Sequence, residues 1–144
     1  MKFLEFFKKD QLDIKKSYLK QLIKVAKADG ELETNEYDFI LKVAKRLDSS
    51  EAEVQDVEKN LQTIVTEEPS GEDERFQFLY DLVWIMMVDT EIDKQEEQLC
   101  TKMADRLGFK PELVKNLIAA IQRHTNQGLE EDTIYQMVQT EFVG

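Results

Sequence analysis

The sequence FQFLYDLVWIMMV, residues 76–88, decides the fold class of this chain. On a helix, it presents two apolar stripes, formed by Leu79, Leu82, Val83 and Met86 and by Phe76, Tyr80, Trp84 and Met87. Only Gln77 and Asp81 are polar, and a helix that is apolar nearly all round is a buried one. The stretch is too short to cross a bilayer, which takes about 20 residues. We therefore expect it to be the central helix of an all-α domain.

The charge of the chain limits the classes of partner. Its 144 residues are enough for one domain with a real core, and 19 basic against 30 acidic side chains give a net charge of −11. This balance argues against nucleic acid, which needs a basic face. Most of the excess lies after residue 46, because residues 1–46 carry a net charge of +3 and residues 47–144 a net charge of −14. An acidic surface that attracts a basic partner, or merely keeps the protein soluble, is the expectation.

Two features of the sequence bear on the cellular compartment. Cys100 is the single cysteine, so an internal disulfide is excluded and a reducing cytoplasm is expected. No secretory signal is visible at the N-terminus. The aromatic segment of residues 3–7, FLEFF, predicts a short leading helix docked on the core, and the alternative is a weak anchor on a membrane surface or a partner.

Three further helices are predicted before the central one. The first runs from Asp10, in a capping box, to Ala28 and ends at Asp29-Gly30. The second spans about Thr34 to Leu47. The third begins after Ser50, and its apolar positions are Val54, Val57, Leu61, Ile64 and Val65. Residues 67–71, EEPSG, then break the pattern, and Ser70 is expected to cap the central helix.

The chain repeats itself with an offset of 60 residues. Matching positions include Leu19 and Leu79, Asp29 and Asp89, Glu31 and Glu91, Glu36 and Glu96, Ala44 and Ala104, Leu47 and Leu107, and Val54 and Val114. The repeat predicts one domain over residues 1–144, with three-helix units at about 10–66 and 70–126 and a terminal helix at 130–142. The total is about seven helices.

One face of the central helix differs between the two units. Lys20, Lys24 and Lys27 of the first unit correspond to Tyr80, Trp84 and Met87 of the second. A helix face that is charged and solvent-exposed in the first unit is therefore apolar in the second. This face needs a cover, either from the terminal segments 1–8 and 130–142 or from another subunit. Internal cover is the preferred prediction, and a monomer or a homodimer is compatible with the sequence.

Each unit has an acidic corner between its first two helices, at residues 29–36 (DGELETNE) and 89–96 (DTEIDKQE). The spacing differs from an EF-hand, which needs glycine at position 6 and glutamate at position 12 of its loop. Helix capping and the helix dipole explain part of the acidic character. If the corners meet, a divalent cation would relieve the repulsion of their carboxylates. The predicted metal ligands are Asp29, Glu31, Glu36, Asp89, Glu91 and Glu96.

The first corner and the helix after it carry a family resemblance. The sequence AKADGELE at residues 26–33, with Glu36 and the stretch VAKRL at residues 43–47, resembles the TerB-like tellurite-resistance family. It is also similar to the N-terminal TerB-like region of some membrane-anchored DnaJ-type co-chaperones, although a His-Pro-Asp motif is absent. The resemblance covers about residues 10–142 and implies a compact helical domain with a metal-associated or scaffolding role in stress response. The second corner departs from the pattern because Thr90 replaces the glycine.

The sequence contains no convincing catalytic set. Cys100 matches the core position of Ile40, and His124, the single histidine, falls near a helix end. Glu-x-x-His pairs and a glycine-rich phosphate loop are both missing. We therefore predict a non-enzymatic interaction or scaffold domain with protein partners, acting through its acidic surface. The alternative is a divalent-cation binder, and no other cofactor is expected.

Overall fold

The computed structural model describes residues 8–28, 30, 32–88 and 92–143, with side chains from residue 13 onward. These residues form seven α-helices and no strand: α1 (Lys8–Ala26), α2 (Thr34–Arg46), α3 (Glu51–Lys59), α4 (Glu72–Met87), α5 (Lys94–Arg106), α6 (Glu112–Asn126) and α7 (Glu131–Phe142). A 3₁₀ turn, Leu61–Thr63, follows α3. The predicted all-α fold with about seven helices is confirmed. The aromatic segment 3–7 lies outside the described residues, so its docking stays a prediction.

Helix α4 is the centre of the molecule. It packs against α1, α2, α5 and α6, and nine of its sixteen residues are buried. Full burial of one large apolar side chain contributes about 1.5–3 kcal/mol, so α4 supplies a large share of the apolar stabilisation. The buried helix predicted over residues 76–88 is therefore confirmed. Among the described helices, none is both long and apolar enough to cross a membrane.

The second helix of each unit begins and ends at positions 60 residues apart, as α2 and α5 show. The turn after each also agrees, because Asp48 has φ 61° and Gly108 has φ 89°. Such a left-handed conformation suits glycine and is tolerated by a short polar residue such as aspartate. Superposition of the two whole units stays a prediction.

The third helix of the first unit is shorter than expected. Helix α3 ends at Lys59, and Val65, predicted to pack in the core, is 70% exposed. The chain is instead held to α1 by hydrogen bonds. Lys20 Nζ donates to the Ile64 carbonyl at 2.6 Å, and the backbone N–H of Glu67 donates to Ser17 Oγ at 2.7 Å. These bonds satisfy an extended backbone, so the helix need not continue.

The predicted helix starts are partly right. Ser50 forms the expected capping box with Glu53, with bonds of 2.9 and 3.2 Å. Helix α4 is capped by Gly71 rather than Ser70, and Asp10 lies inside α1 rather than at its cap. The cap of α4 is shifted by one residue, which is the usual uncertainty of a helix end read from side-chain preferences, whereas Asp10 is already the third residue of α1.

A buried polar cluster joins α1, α2 and α4. Asp81 is 1% exposed and accepts hydrogen bonds from Tyr18 and Arg46, and also from Gln77 at 3.1 Å. Burial raises the pKa of the Asp81 carboxyl, and Arg46 and the hydrogen bonds lower it only in part. The cluster ties the first unit to the second through the middle of the core.

Helix α7 covers part of the apolar face of α4. Tyr80 is fully buried, with its ring edge-on to Tyr135 at 4.9 Å between centroids and its hydroxyl 3.3 Å from Glu131. Lys42 of α2 contacts Glu131 at 3.2 Å, so α7 is also held by the first unit. The predicted internal cover is therefore correct for Tyr80. Trp84, one turn further along α4, is only partly buried.

Candidate functional site

The two acidic corners are described only in part. Four of the six predicted metal ligands, Asp29, Glu31, Asp89 and Glu91, lie outside the described residues. Glu36 and Glu96 are described, and their side chains are 0% and 1% exposed. Within the described ranges, no group of three or more His, Cys, Asp or Glu side chains is arranged to hold a metal ion. The cation site therefore stays a prediction, now with two buried carboxylates in it.

Helix capping explains part of each corner, as expected. Glu36 Oε1 accepts a hydrogen bond of 2.9 Å from the backbone N–H of Glu33. Asp93 Oδ1 accepts from the N–H groups of Gln95 and Glu96 at 2.7 and 3.3 Å. These bonds satisfy helix-terminal donors and place negative charge at the positive end of the dipole. Capping does not by itself require the burial of Glu36 and Glu96.

An apolar groove of about 650 Å³ lies between the end of α4 and the last turns of α6. We call it the α4–α6 groove. Its apolar lining residues are Trp84, Met87, Val88, Ile92 and Ile121, and its polar ones are Gln122, Thr125 and Asn126. Val88 directly precedes the second acidic corner and Ile92 lies within it, so the groove and that corner are neighbours. The sequence singled out Trp84 and Met87 as apolar but did not predict a groove.

Aromatic contacts hold Trp84 in place at the groove. Its ring stacks on Tyr80, with centroids 5.9 Å apart and planes at 21°, and lies 6.2 Å from the ring of Phe39. Offset and tilted aromatic pairs of this kind each contribute about 0.5–1.5 kcal/mol beyond burial. Trp84 is thus a rigid, partly exposed aromatic side chain.

The α6 wall of the groove has no helical counterpart in the described residues of the first unit. At an offset of 60 residues, Lys59, the end of α3, corresponds to Ala119, and every α6 residue in the groove comes after Ala119. The first unit has no helix to build the matching wall. It also carries charge at the matching face, where Lys27 contacts Glu58 at 3.8 Å. The groove could have been predicted from sequence only if the greater length of α6 than of α3 had been known.

Cys100 and His124 are the two residues that were considered for a catalytic role, and both are buried. Cys100 is 0% exposed, its thiol lies 3.5 Å from the Leu82 carbonyl, and burial raises its pKa well above the usual range. The predicted packed thiol is confirmed. His124 is 6% exposed, with Nδ1 3.4 Å from Gln127 Oε1 and Nε2 3.8 Å from Glu141 Oε2. The neighbouring Arg123 pairs with Glu141 at 2.9 and 3.0 Å and so holds the end of α6 to α7.

Comparison with known proteins bears on the first unit. Residues 1–59 match the family described as Tellurite resistance protein TerB. No curated protein and no solved structure matches the chain significantly. The match includes the first acidic corner and helices α1 to α3, on which the resemblance depends. The predicted resemblance is confirmed over this part, because residues 1–59 are similar to this family.

Proposed function

We propose that this protein is a TerB-like stress-response domain that works by binding protein partners and not by catalysis. The family match supports the tellurite-resistance type. The acidic excess, 30 side chains against 19 basic ones, supports partners that carry positive charge. The binding role is our inference from the surface of the molecule.

The observation that carries the proposal is the α4–α6 groove beside the second corner. Trp84 and Met87 are large side chains left partly exposed, while the rest of α4 is mostly buried. Residues 88–97, VDTEIDKQEE, carry five acidic side chains and one lysine. Partly exposed aromatic and methionine side chains bordered by charge are typical of a protein interface.

Site-specific photo-crosslinking in the source cells, with and without tellurite, tests the proposal. A photoreactive residue replaces Met87 in the groove, Glu97 on the acidic surface, or Val65 as a control far along the chain. We expect a defined protein adduct from Glu97 or Met87, and none from Val65. Adducts from no position, or the same adducts from all three, would contradict a binding role for this surface.

Divalent-cation binding is the second candidate, favoured by the burial of Glu36 and Glu96 at matching positions. Carboxylate oxygens are the ligands that Ca²⁺ and Mg²⁺ take in proteins, and two buried carboxylates at matching positions supply such oxygens. The test compares melting temperatures with Ca²⁺, Mg²⁺ and EDTA. A rise that Asp29→Asn with Asp89→Asn abolishes supports the site.

The matched control for that test is Asp38→Asn with Asp105→Asn, which removes the same charge from exposed positions of α2 and α5. A cation effect that survives the corner variant, or that disappears equally in the control, would show only general charge screening. No shift with either cation would eliminate the second candidate.

A further inference from the structure

We propose that the α4–α6 groove binds an amphipathic helix of a partner protein, with an apolar stripe flanked by lysine or arginine side chains. This inference rests on the proposed function and names the chemistry of its partner.

The shape of the groove fits a helical segment. Its volume of about 650 Å³ is that of a small-ligand site, so it holds a few side chains of such a segment and not the whole helix. The long walls are the exposed sides of two helices, α4 and α6. A groove between helices takes the apolar face of a third, with anchors at positions i, i+3, i+4 and i+7.

The two large groove side chains have the properties of binding anchors. Trp84 is held by Tyr80 and Phe39, so little conformational entropy is lost when a partner packs on it. Met87 is flexible and adapts to the shape of an apolar partner. Tryptophan is also among the residues that most often dominate binding energy.

The α6 wall has a polar edge suited to a segment with its own polar side. Gln122, Thr125 and Asn126 are spaced i, i+3 and i+4, and all three are exposed. Their amide and hydroxyl groups can donate to and accept from polar side chains at the margin of a bound helix. A purely apolar small molecule would leave these groups unused.

The charge beside the groove selects a basic partner. Asp93 directly follows the groove residue Ile92, and Glu97 lies one turn further along α5; both are partly exposed, against one exposed lysine, Lys94. The closest basic side chain of the α6 wall, Arg123, is paired with Glu141 at 2.9 and 3.0 Å, so its charge is compensated. Complementary charge at the rim of an interface speeds association and rejects acidic partners.

Fluorescence of Trp84 tests the proposal directly, because it is the single tryptophan of the chain. The probes are three synthetic peptides free of tryptophan. One has leucines in a helical stripe among lysines, the second has the same composition in scrambled order, and the third has the stripe among glutamates. We expect the lysine stripe peptide to shift Trp84 emission to shorter wavelength and to bind at least about tenfold tighter than either control.

Two variants locate the site. Met87→Lys introduces the residue found at the matching position of the first unit, and Thr125→Arg adds bulk and charge at an exposed rim position. Each variant should lower the affinity for the lysine stripe peptide by at least about tenfold. Val65→Lys adds the same charge elsewhere and should leave binding within about twofold.

Several results would overturn the proposal. They are equal binding of the scrambled peptide, equal binding of the glutamate peptide, or no effect of the groove variants. Two occupants of other kinds are also outcomes. Self-association that Met87→Lys abolishes in sedimentation would show that a second copy covers the groove. A fluorescent apolar dye that shifts Trp84 emission and is not displaced by the peptide would show a small-molecule site.

Failure of this inference and failure of the proposed function are distinguishable. A crosslinked partner at Glu97, together with no peptide binding in the groove, leaves the proposed function standing and removes the groove as its site. An absence of crosslinks at Glu97 and Met87 removes the proposed function itself.

Discussion

Replacing Arg46 by methionine should destabilise the protein more than replacing Asp81 by asparagine, although the two residues form one ion pair. The difference follows from their exposure. The Asp81 side chain is 1% exposed, whereas the Arg46 side chain is 40% exposed. Without Arg46, Asp81 remains a buried charge that water cannot reach. Without the charge of Asp81, the guanidinium of Arg46 can turn into solvent.

The loss of stability in each variant follows from the exposure of the charge that is left behind. Removing one partner of a buried pair costs about 3–5 kcal/mol when the other charge stays buried, which is the expectation for Arg46→Met. Asp81→Asn keeps an oxygen that can accept from Tyr18, so its cost should be near that of one or two hydrogen bonds, about 1–2 kcal/mol. For a chain of this length, 1 kcal/mol corresponds to about 3 °C in melting temperature.

The pH dependence gives a second, independent check. Burial already raises the pKa of Asp81 above its unfolded value, and Arg46→Met removes a group that lowers it. A carboxyl with a raised folded pKa binds its proton more tightly in the folded state, so its contribution to stability grows as pH falls. The stability difference between Arg46→Met and the unaltered protein should therefore shrink between about pH 7 and pH 5.

Urea unfolding of both variants at pH 7, 6 and 5, followed by circular dichroism, provides the free energies of unfolding. Equal losses in the two variants, or a deficit of Arg46→Met that grows toward pH 5, would refute the assignment of Asp81 as a buried charge compensated by Arg46.

Three further predictions concern the core, the cysteine and the last helix. Phe76→Ala, at a 1% exposed position, should cost about 3–5 kcal/mol in urea unfolding, whereas Val65→Ala should change stability by less than about 0.5 kcal/mol. Cys100 should react with Ellman's reagent at pH 8 at least about a hundredfold more slowly in the folded than in the unfolded protein, because it is buried and its pKa is raised; equal rates would contradict its burial. Glu131→Gln weakens the contacts of α7 with Lys42 and Tyr80, so the amide hydrogens of α7 should exchange faster while those of α4 stay protected.

The central helix could be predicted from sequence because its apolar side chains cover nearly its whole circumference. The bounds of α2 were also close to the predicted span of Thr34 to Leu47, because acidic residues at its start and its apolar spacing mark it locally. Burial of Cys100 followed from its alignment with Ile40.

The length of α3 could not be predicted in the same way. Leu61, Ile64 and Val65 keep an apolar pattern that suits a helix, and only the hydrogen bonds of residues 64–67 with α1 show why the chain becomes extended. The sequence likewise predicted that the whole apolar face of α4 is covered. In the structure Tyr80 of this face is buried, whereas Trp84 is partly exposed.

The sequence by itself determined an all-α chain with a buried fourth helix, an acidic surface and a TerB-like first corner, because helical periodicity, charge and short motifs are properties of neighbouring residues. The tertiary structure decided that Asp81 is compensated across two helices, that α7 covers Tyr80 while Trp84 stays partly exposed, and that a groove opens beside the second corner. These features depend on how far one helix extends past another, and such distances arise only when the helices pack.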